Sequence, residues 1–177
     1  MKQHTCCFSG YRPEKMPPDV RPGTAAFGKM IQDLRCECLR AVEDGYTVFL
    51  SGMSRGFDLW SAAVVLELQQ LGLPIELWAA IAFHGMEQNW EPEWQESYCR
   101  ALRGARHTFC CFEHYQPGCY TVRDRLLADR ASRMICYYDG VPGGTAYTVN
   151  YAARLGLDIR NLAGDIEYAC RIPGFFD

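Results

Sequence analysis

A chain of 177 residues and 20.1 kDa has the size of one ordinary domain and is too short for two full-sized ones. Hydrophobic residues at 49% and charged residues at 22% lie near globular averages, which excludes disordered, collagenous and low-complexity classes. Eighteen basic against 21 acidic side chains leave a net charge of −3. Duplex binders take most of their affinity from Lys and Arg on phosphates, so this balance speaks against nucleic acid as a partner, a local basic groove apart.

The first apolar run covers residues 4–9 (HTCCFS) and stops at Gly10. YRPEKMPPDVRPG, with four prolines in thirteen residues, reads as a long loop. Thr24 is placed to cap a helix to about Glu43, with Phe27, Met30, Ile31, Leu34, Cys38 and Val42 on one face and Asp44-Gly45 as its stop. A second run, 47–51, ends at Gly52. The pattern over 57–71 predicts a helix packing Leu59, Ala62, Ala63 and Leu66, stopped by Gly72. Pro74 opens a third run (IELWAAIAF), and the Trp-rich segment 84–103 predicts a helix from about Pro92. Runs at 107–112 (HTFCCF) and 134–138 (MICYY) flank the helical pattern TVRDRLLADRAS. Gly143-Gly144-Thr145 opens a last helix to Leu155, and a short strand over 158–162 precedes the tail. Strand and helix thus alternate about five times, with a sixth strand at the end. Runs apolar on both faces mark parallel strands covered by helices on each side. The expected architecture is one α/β domain over residues 1–177, Rossmann-like and three-layered, with an open, mainly parallel sheet of about six strands.

No uncharged apolar stretch long enough to span a bilayer occurs, and the N-terminal MKQHTCCFSGYRPEK has neither an apolar core nor a small-residue cleavage site. No membrane partner and no signal peptide are expected. Ten cysteines are present, none in a Cys-x-x-Cys pair, so no metal site is expected. Cys7, Cys110, Cys111 and Cys136 lie in apolar runs and read as small buried hydrophobes, reduced, in a cytoplasmic protein.

In such a sheet, ligands bind beyond the carboxyl ends of the strands. Ser9, Gly10, Tyr11 and Arg12 follow the first strand, and GMSRGFD follows the second. His84 and Gln88 follow the third, Tyr115, Tyr120, Arg123 and Asp124 the fourth, and Asp139, Gly143, Gly144 and Thr145 the fifth. Glycines at a strand-to-helix turn let the backbone approach a ligand, and the helix start offers free N–H groups and partial positive charge. Gly52-x-x-x-Gly56 and Gly143-Gly144-Thr145 both fit. One such turn serves steric needs as readily as phosphate, whereas two on one sheet favour phosphate. Neither has the G-x-G-x-x-G spacing or the Lys of a P-loop, which argues against ordinary dehydrogenases and P-loop ATPases. Asp58 reads as an early-turn acid or as a partner for a ribose hydroxyl. Arg12 and Arg123 are the basic candidates for an anion. Tyr11, Trp90, Tyr115 and Tyr120 could stack on a base, though aromatics more often pack a core. His84 has no paired carboxylate in view, and no G-x-S-x-G elbow occurs.

Taken together, FSGYRPEKMP, SGMSRGFDLWSA, FHGMEQNW, HYQPGCYTVRDRLLADRAS and YDGVPGGTAYTVNYA resemble the YpsA-like family. That family belongs to the SLOG superfamily of DNA-processing DprA/Smf proteins and LOG phosphoribohydrolases. The resemblance runs from about residue 5 to 162. It implies a Rossmann-like sheet, a pocket for a nucleotide or nucleotide-derived ligand, and a link to cell division and stress. Carried over position by position, it marks Gly10, Arg12, Gly52, Gly56, Asp58, Gln88, Arg123, Gly143, Gly144 and Thr145 as ligand-binding. Two departures matter. Arg123-Asp124 stands where the family pattern has Arg-Asn, which sets an acid beside the phosphate site. Thr148 stands where LOG enzymes carry their catalytic Glu, and a hydroxyl cannot replace that carboxylate.

The function expected is that of a cytosolic sensor or regulator binding a nucleotide-derived ligand such as ADP-ribose or an NAD-like molecule, with no further cofactor identified. A phosphoribohydrolase-like enzyme using Asp58, Asp124 or Asp139 in place of the missing Glu is the enzyme alternative. A protein-interaction module using segment 84–103 and the tail IEYACRIPGFFD is the other, and pairing of copies is compatible with each.

Overall fold

The computed structural model describes residues 2–164; Met1 and 165–177, including that tail, lie outside the described residues. The element order is β1 (Thr5–Ser9), α1 (Ala25–Glu43), β2 (Val48–Ser51), α2 (Phe57–Gln70), β3 (Glu76–Phe83), α3 (Pro92–Gly104), β4 (His107–Phe112), α4 (Cys119–Arg130), β5 (Arg133–Cys136), α5 (Gly144–Arg154) and β6 (Asp158–Asn161). The six strands form one sheet in the order β4-β3-β2-β1-β5-β6, and every pairing is parallel. Strand order therefore reverses between β1 and β5, the switch point where open α/β sheets place ligands.

Local chemistry sets the boundaries much as the sequence predicts. The Thr24 hydroxyl accepts from the Phe27 N–H at 3.1 Å, closing the start of α1. Gly45 and Gly72, both at φ +91°, end α1 and α2. The Pro-rich loop after β1 holds one short 3-10 turn, Pro13–Lys15. Inner strands β1, β2 and β5 are buried along their whole length, with Phe8 stacked on Phe49 at 6.0 Å between ring centroids. Each such fully buried side chain contributes about 1.5–3 kcal/mol relative to exposure.

α1, α2 and α3 pack in succession on one side, and α4 packs on α5, as right-handed crossovers over this strand order require.

Two details differ from the sequence reading. On α2, Leu59 and Ala62 are buried as expected, together with Phe57, Ser61, Val64, Val65 and Leu68, whereas Ala63 is exposed and Leu66 half-buried. This helix is apolar on nearly every side, so periodicity alone does not select its inward face. Cys110 is exposed and Cys111 half-buried, against the expectation of buried thiols, because β4 is an edge strand. Cys7 and Cys136 are buried, and all nine described cysteines are free. Among the described residues no helix is long and apolar enough to cross a membrane.

Candidate functional site

A cleft of about 260 Å³ opens at the switch point. Phe8, Ser9 and Gly10 at the end of β1 line it, joined by Arg12, Glu14 and Lys15 from the following loop. Ser54 and Asp58 enter from the β2–α2 turn, Tyr120, Arg123, Asp124 and Leu127 from α4, and Gly144, Thr145 and Thr148 from α5. Both glycine turns thus reach one cleft, but they present different chemistry there.

The β2–α2 turn is braced by the β1 loop and by its own acid, and among the described residues the N–H groups of Asp58 and Leu59 have no protein acceptor. The first N–H of α2, on Phe57, donates to the Tyr11 carbonyl at 3.1 Å. The Asp58 carboxylate occupies the positive end of the helix and accepts from the Ser54 N–H at 3.3 Å. Gly56 sits at φ +88°, and a Cβ there would come within 2.5 Å of the Tyr11 carbonyl oxygen. Gly56→Ala is expected to cost about 2–3 kcal/mol by forcing both a strained backbone and a parted loop, read as a lower urea midpoint at unchanged slope. Gly10 allows a similar close approach, since a Cβ would overlap the Phe57 ring. Met53, buried, adopts φ +61°, an uncommon conformation for a side-chain-bearing residue and the sort that collects at functional turns.

The α5 opening is free. Gly143 caps it without a side chain, and its first backbone bond is made by the Tyr147 N–H to the Gly143 carbonyl at 3.0 Å. The N–H groups of Gly144, Thr145 and Ala146 have no protein acceptor among the described residues. The Thr145 hydroxyl ties this start to β1 by donating to the Gly10 carbonyl at 3.1 Å. Lys15 Nζ stands 3.3 Å from where a Cβ on Gly143 would lie, so its ammonium flanks the same turn. The Tyr11 hydroxyl, donating to Asp139 at 2.6 Å, fastens the β1 loop to the β5–α5 loop.

Arg123 is 4% exposed. Its Nε donates to Asp124 at 2.8 Å, its Nη1 to the Gly52 carbonyl and its Nη2 to the Ser54 hydroxyl at 3.1 Å. Asp58 stands 3.9 Å from Nη1. This guanidinium therefore builds the wall of the cleft and holds the β2–α2 turn. Gly52 allows its approach: a Cβ there would lie 2.6 Å from Nη1. Arg12, by contrast, is exposed at the rim, its guanidinium 5.1 Å from the centre of the Tyr120 ring. Burial pushes the Asp58 carboxyl up to about 6, with the Asp124 carboxylate adding to the rise; Arg123, the Ser54 N–H and Arg12 pull the other way.

Of the ten residues marked by the sequence, Gly10, Arg12, Asp58, Arg123, Gly144 and Thr145 meet at the cleft. Gly52, Gly56 and Gly143 shape its turns without lining it. Gln88 lies elsewhere, exposed in the turn before α3, where its carbonyl accepts from the Gln95 amide at 3.0 Å. Ser9 and Ser54, which stand among the strand-end residues without being marked as ligand-binding, also line the cleft, and Lys15 lines it from outside that set. Lys15 is hidden in the Pro-rich loop, although Arg-Pro-Glu-Lys just after a strand end was a usable signal. Thr148 lines the cleft with its hydroxyl donating to the Gly144 carbonyl at 2.8 Å. Asp58 and Asp124 are cleft carboxylates, whereas Asp139 is engaged by Tyr11. Among the described residues no cluster of His, Cys, Asp or Glu could hold a metal ion.

A family model described as the YspA SLOG family, short name YpsA, matches residues 6–158. The chain belongs to this family. Family relatives include a UPF0398 protein of Bacillus cereus strain B4264, 26% identical over 153 residues that cover 84% of this chain and 82% of the relative. Another, from Bacillus thuringiensis strain Al Hakam, is 25% identical over the same span and shares. Among solved structures, the fold of this YpsA-family chain is similar to DNA processing protein A of Streptococcus pneumoniae, with TM-score 0.65 and 16% identity over 93% of this chain. It is similar also to DNA processing protein A of Helicobacter pylori, whose structure concerns a single-stranded DNA binding mode, with TM-score 0.61 and 13% identity over 90% of this chain. The chain spans about half of the first of these (52%) and 65% of the second.

The expectation against nucleic acid is corrected by this likeness, because a chain of the same fold binds single-stranded DNA. Net charge averages over the whole surface, whereas single strands are held by a local basic groove and by stacking on aromatic rings.

Proposed function

We propose that the cleft binds a phosphate-bearing nucleoside and that the protein acts as a nucleotide-responsive regulator in the cytoplasm. The observation that carries this reading is the meeting, in one cleft, of the free N–H groups of α5, the cations of Arg12 and Lys15, and the carboxylates of Asp58 and Asp124. A phosphate fits the N–H groups and cations, and sugar hydroxyls would donate to the carboxylates. Three cationic and three acidic side chains line the cleft, a balance that suits a ligand with both an anionic and a hydroxyl-rich end better than inorganic phosphate. ADP-ribose and NAD-like molecules have that form. Position 148 offers a hydroxyl where a hydrolase would need a carboxylate, so the reading is binding rather than cleavage.

A second reading, single-stranded nucleic acid, is favoured by a row of rings leading out of the cleft. Tyr120 meets Phe83 at 6.0 Å, and Phe83 meets Tyr115 at 5.6 Å. Tyr115 is 65% exposed and could take a base on its face. The Helicobacter pylori protein of the same fold lends support.

Calorimetric titration separates the two. AMP, ADP-ribose or NAD is expected to bind, and Arg12→Glu to weaken that binding roughly ten- to a hundredfold, since a charge-assisted hydrogen bond contributes about 1.5–3 kcal/mol. Oligothymidylate binding tighter than any mononucleotide, lost in Tyr115→Ala and falling steeply with salt, would favour the strand. Absence of heat and of thermal stabilisation with every one of these ligands would remove both readings.

A further inference from the structure

The two edges of the sheet are built differently. β6 has four residues and carries Asp158 and Arg160, charges of the kind that keep further strands from adding. β4 has six, HTFCCF, with no Lys, Arg, Asp, Glu, Pro or Gly among them. Its His107, Thr108 and Cys110 are exposed. The Phe112 carbonyl accepts from the His84 N–H on the β3 side, so Cys110, two residues earlier, also turns its backbone groups inward. By alternation Phe109 and Cys111 point theirs off the sheet. Among the described residues no other segment receives them.

We infer that β4 pairs with β4 of a second copy, antiparallel about a two-fold axis at Cys110, joining two six-stranded sheets into one. The charges beside this strand single out a second copy as occupant. Arg106 and His107 stand at its start and Glu113 just after its end. Antiparallel pairing centred on Cys110 sets His107 of each copy opposite Glu113 of the other, and Phe109 opposite Cys111. Parallel pairing would set Arg106 against Arg106 and Glu113 against Glu113, which disfavours it. Because the two-fold reverses strand direction, the two clefts open toward opposite ends of the dimer. Pairing is therefore independent of what the cleft binds, and such an isologous contact closes on itself without forming fibres.

Sedimentation equilibrium of the full chain is expected to give twice 20.1 kDa. Cys110→Lys, which places two ammonium groups opposite each other across the axis, is expected to give the monomer mass, and Cys110→Ser to remain a dimer. Thr108→Lys, on the same exposed face, serves should Cys110→Lys fail to fold. In a Cys111→Ser background a short bismaleimide is expected to cross-link the chain, with the product lost on adding Cys110→Ser and kept on adding Cys36→Ser or Cys99→Ser, the other thiols exposed among the described residues. A wild-type monomer at its highest soluble concentration, a folded Cys110→Lys dimer, or a cross-link that survives Cys110→Ser in the Cys111→Ser background would each overturn the inference.

Discussion

Replacing Arg123 with Met should lower the free energy of unfolding by about 3–5 kcal/mol, the range for removing one member of a buried ion pair. The methionine fills much of the same volume but returns none of the bonds. It leaves the Gly52 carbonyl and the Ser54 hydroxyl without their donor and the Asp58 carboxylate, 6% exposed, without its nearest cation. Asp124 is better placed, because its side chain is 17% exposed and reaches water. Combining Arg123→Met with Asp58→Asn should therefore recover part of the loss, since the stranded charge is gone. Urea unfolding of the four members of this cycle measures the coupling. If Arg123→Met cost less than about 1 kcal/mol, a typical surface change, the guanidinium would not be holding the β2–α2 turn.

Asp58 should give the protein an unusual pH dependence. Its carboxyl is raised from an ordinary 3.8 to about 6 in the folded chain, chiefly by burial. Between these values this carboxyl binds more protons in the folded state than in the unfolded one, so its contribution to stability falls as pH rises from about 4 to about 6 and is flat above. The shift corresponds to about 3 kcal/mol of destabilisation at neutral pH. Asp58→Asn should remove that slope and leave the variant more stable than wild type above pH 7, with Arg123 still balanced by Asp124. The difference between the two unfolding curves, taken across pH, isolates this carboxyl from all other titrating groups. A wild-type excess of stability at pH 8 would mean that the ion pair with Arg123 outweighs burial. A carboxylate kept ionised at such a cost is the kind of group found where a ligand will satisfy it.

These two side chains also mark how far the site was legible in the sequence. The strand-end rule selected Gly10, Arg12, Asp58, Arg123, Gly144 and Thr145, since a βα repeat puts every strand's last residues at one sheet edge whatever the strand order. It could not tell that Arg123 would be spent on Gly52, Ser54 and two carboxylates while Arg12 stayed at the rim. That division depends on where α4 packs across the sheet, some seventy residues of chain away from the turn it braces. Gln88 satisfied the same rule and lies apart, because β3 stands two strands from the switch point. Lys15 sat in a loop whose prolines announced a turn but not its direction, and the 3-10 turn over Pro13–Lys15 brings its ammonium to α5.

By itself, the amino-acid order determined the kinds of element, their boundaries within a few residues, the parallel class of the sheet and the presence of two glycine-built helix starts. Those properties follow from neighbours within a few residues: the period of apolar side chains, a threonine cap, a glycine stop. Only the tertiary structure decided that β5 lies beside β1, that a buried carboxylate stands at one helix start while an ammonium flanks the other, that Asp58 is buried, and that HTFCCF forms a bare edge. Each of these depends on which distant segments meet. Burial, desolvation and the pairing of charges are properties of that meeting, with no local period in the chain to announce them.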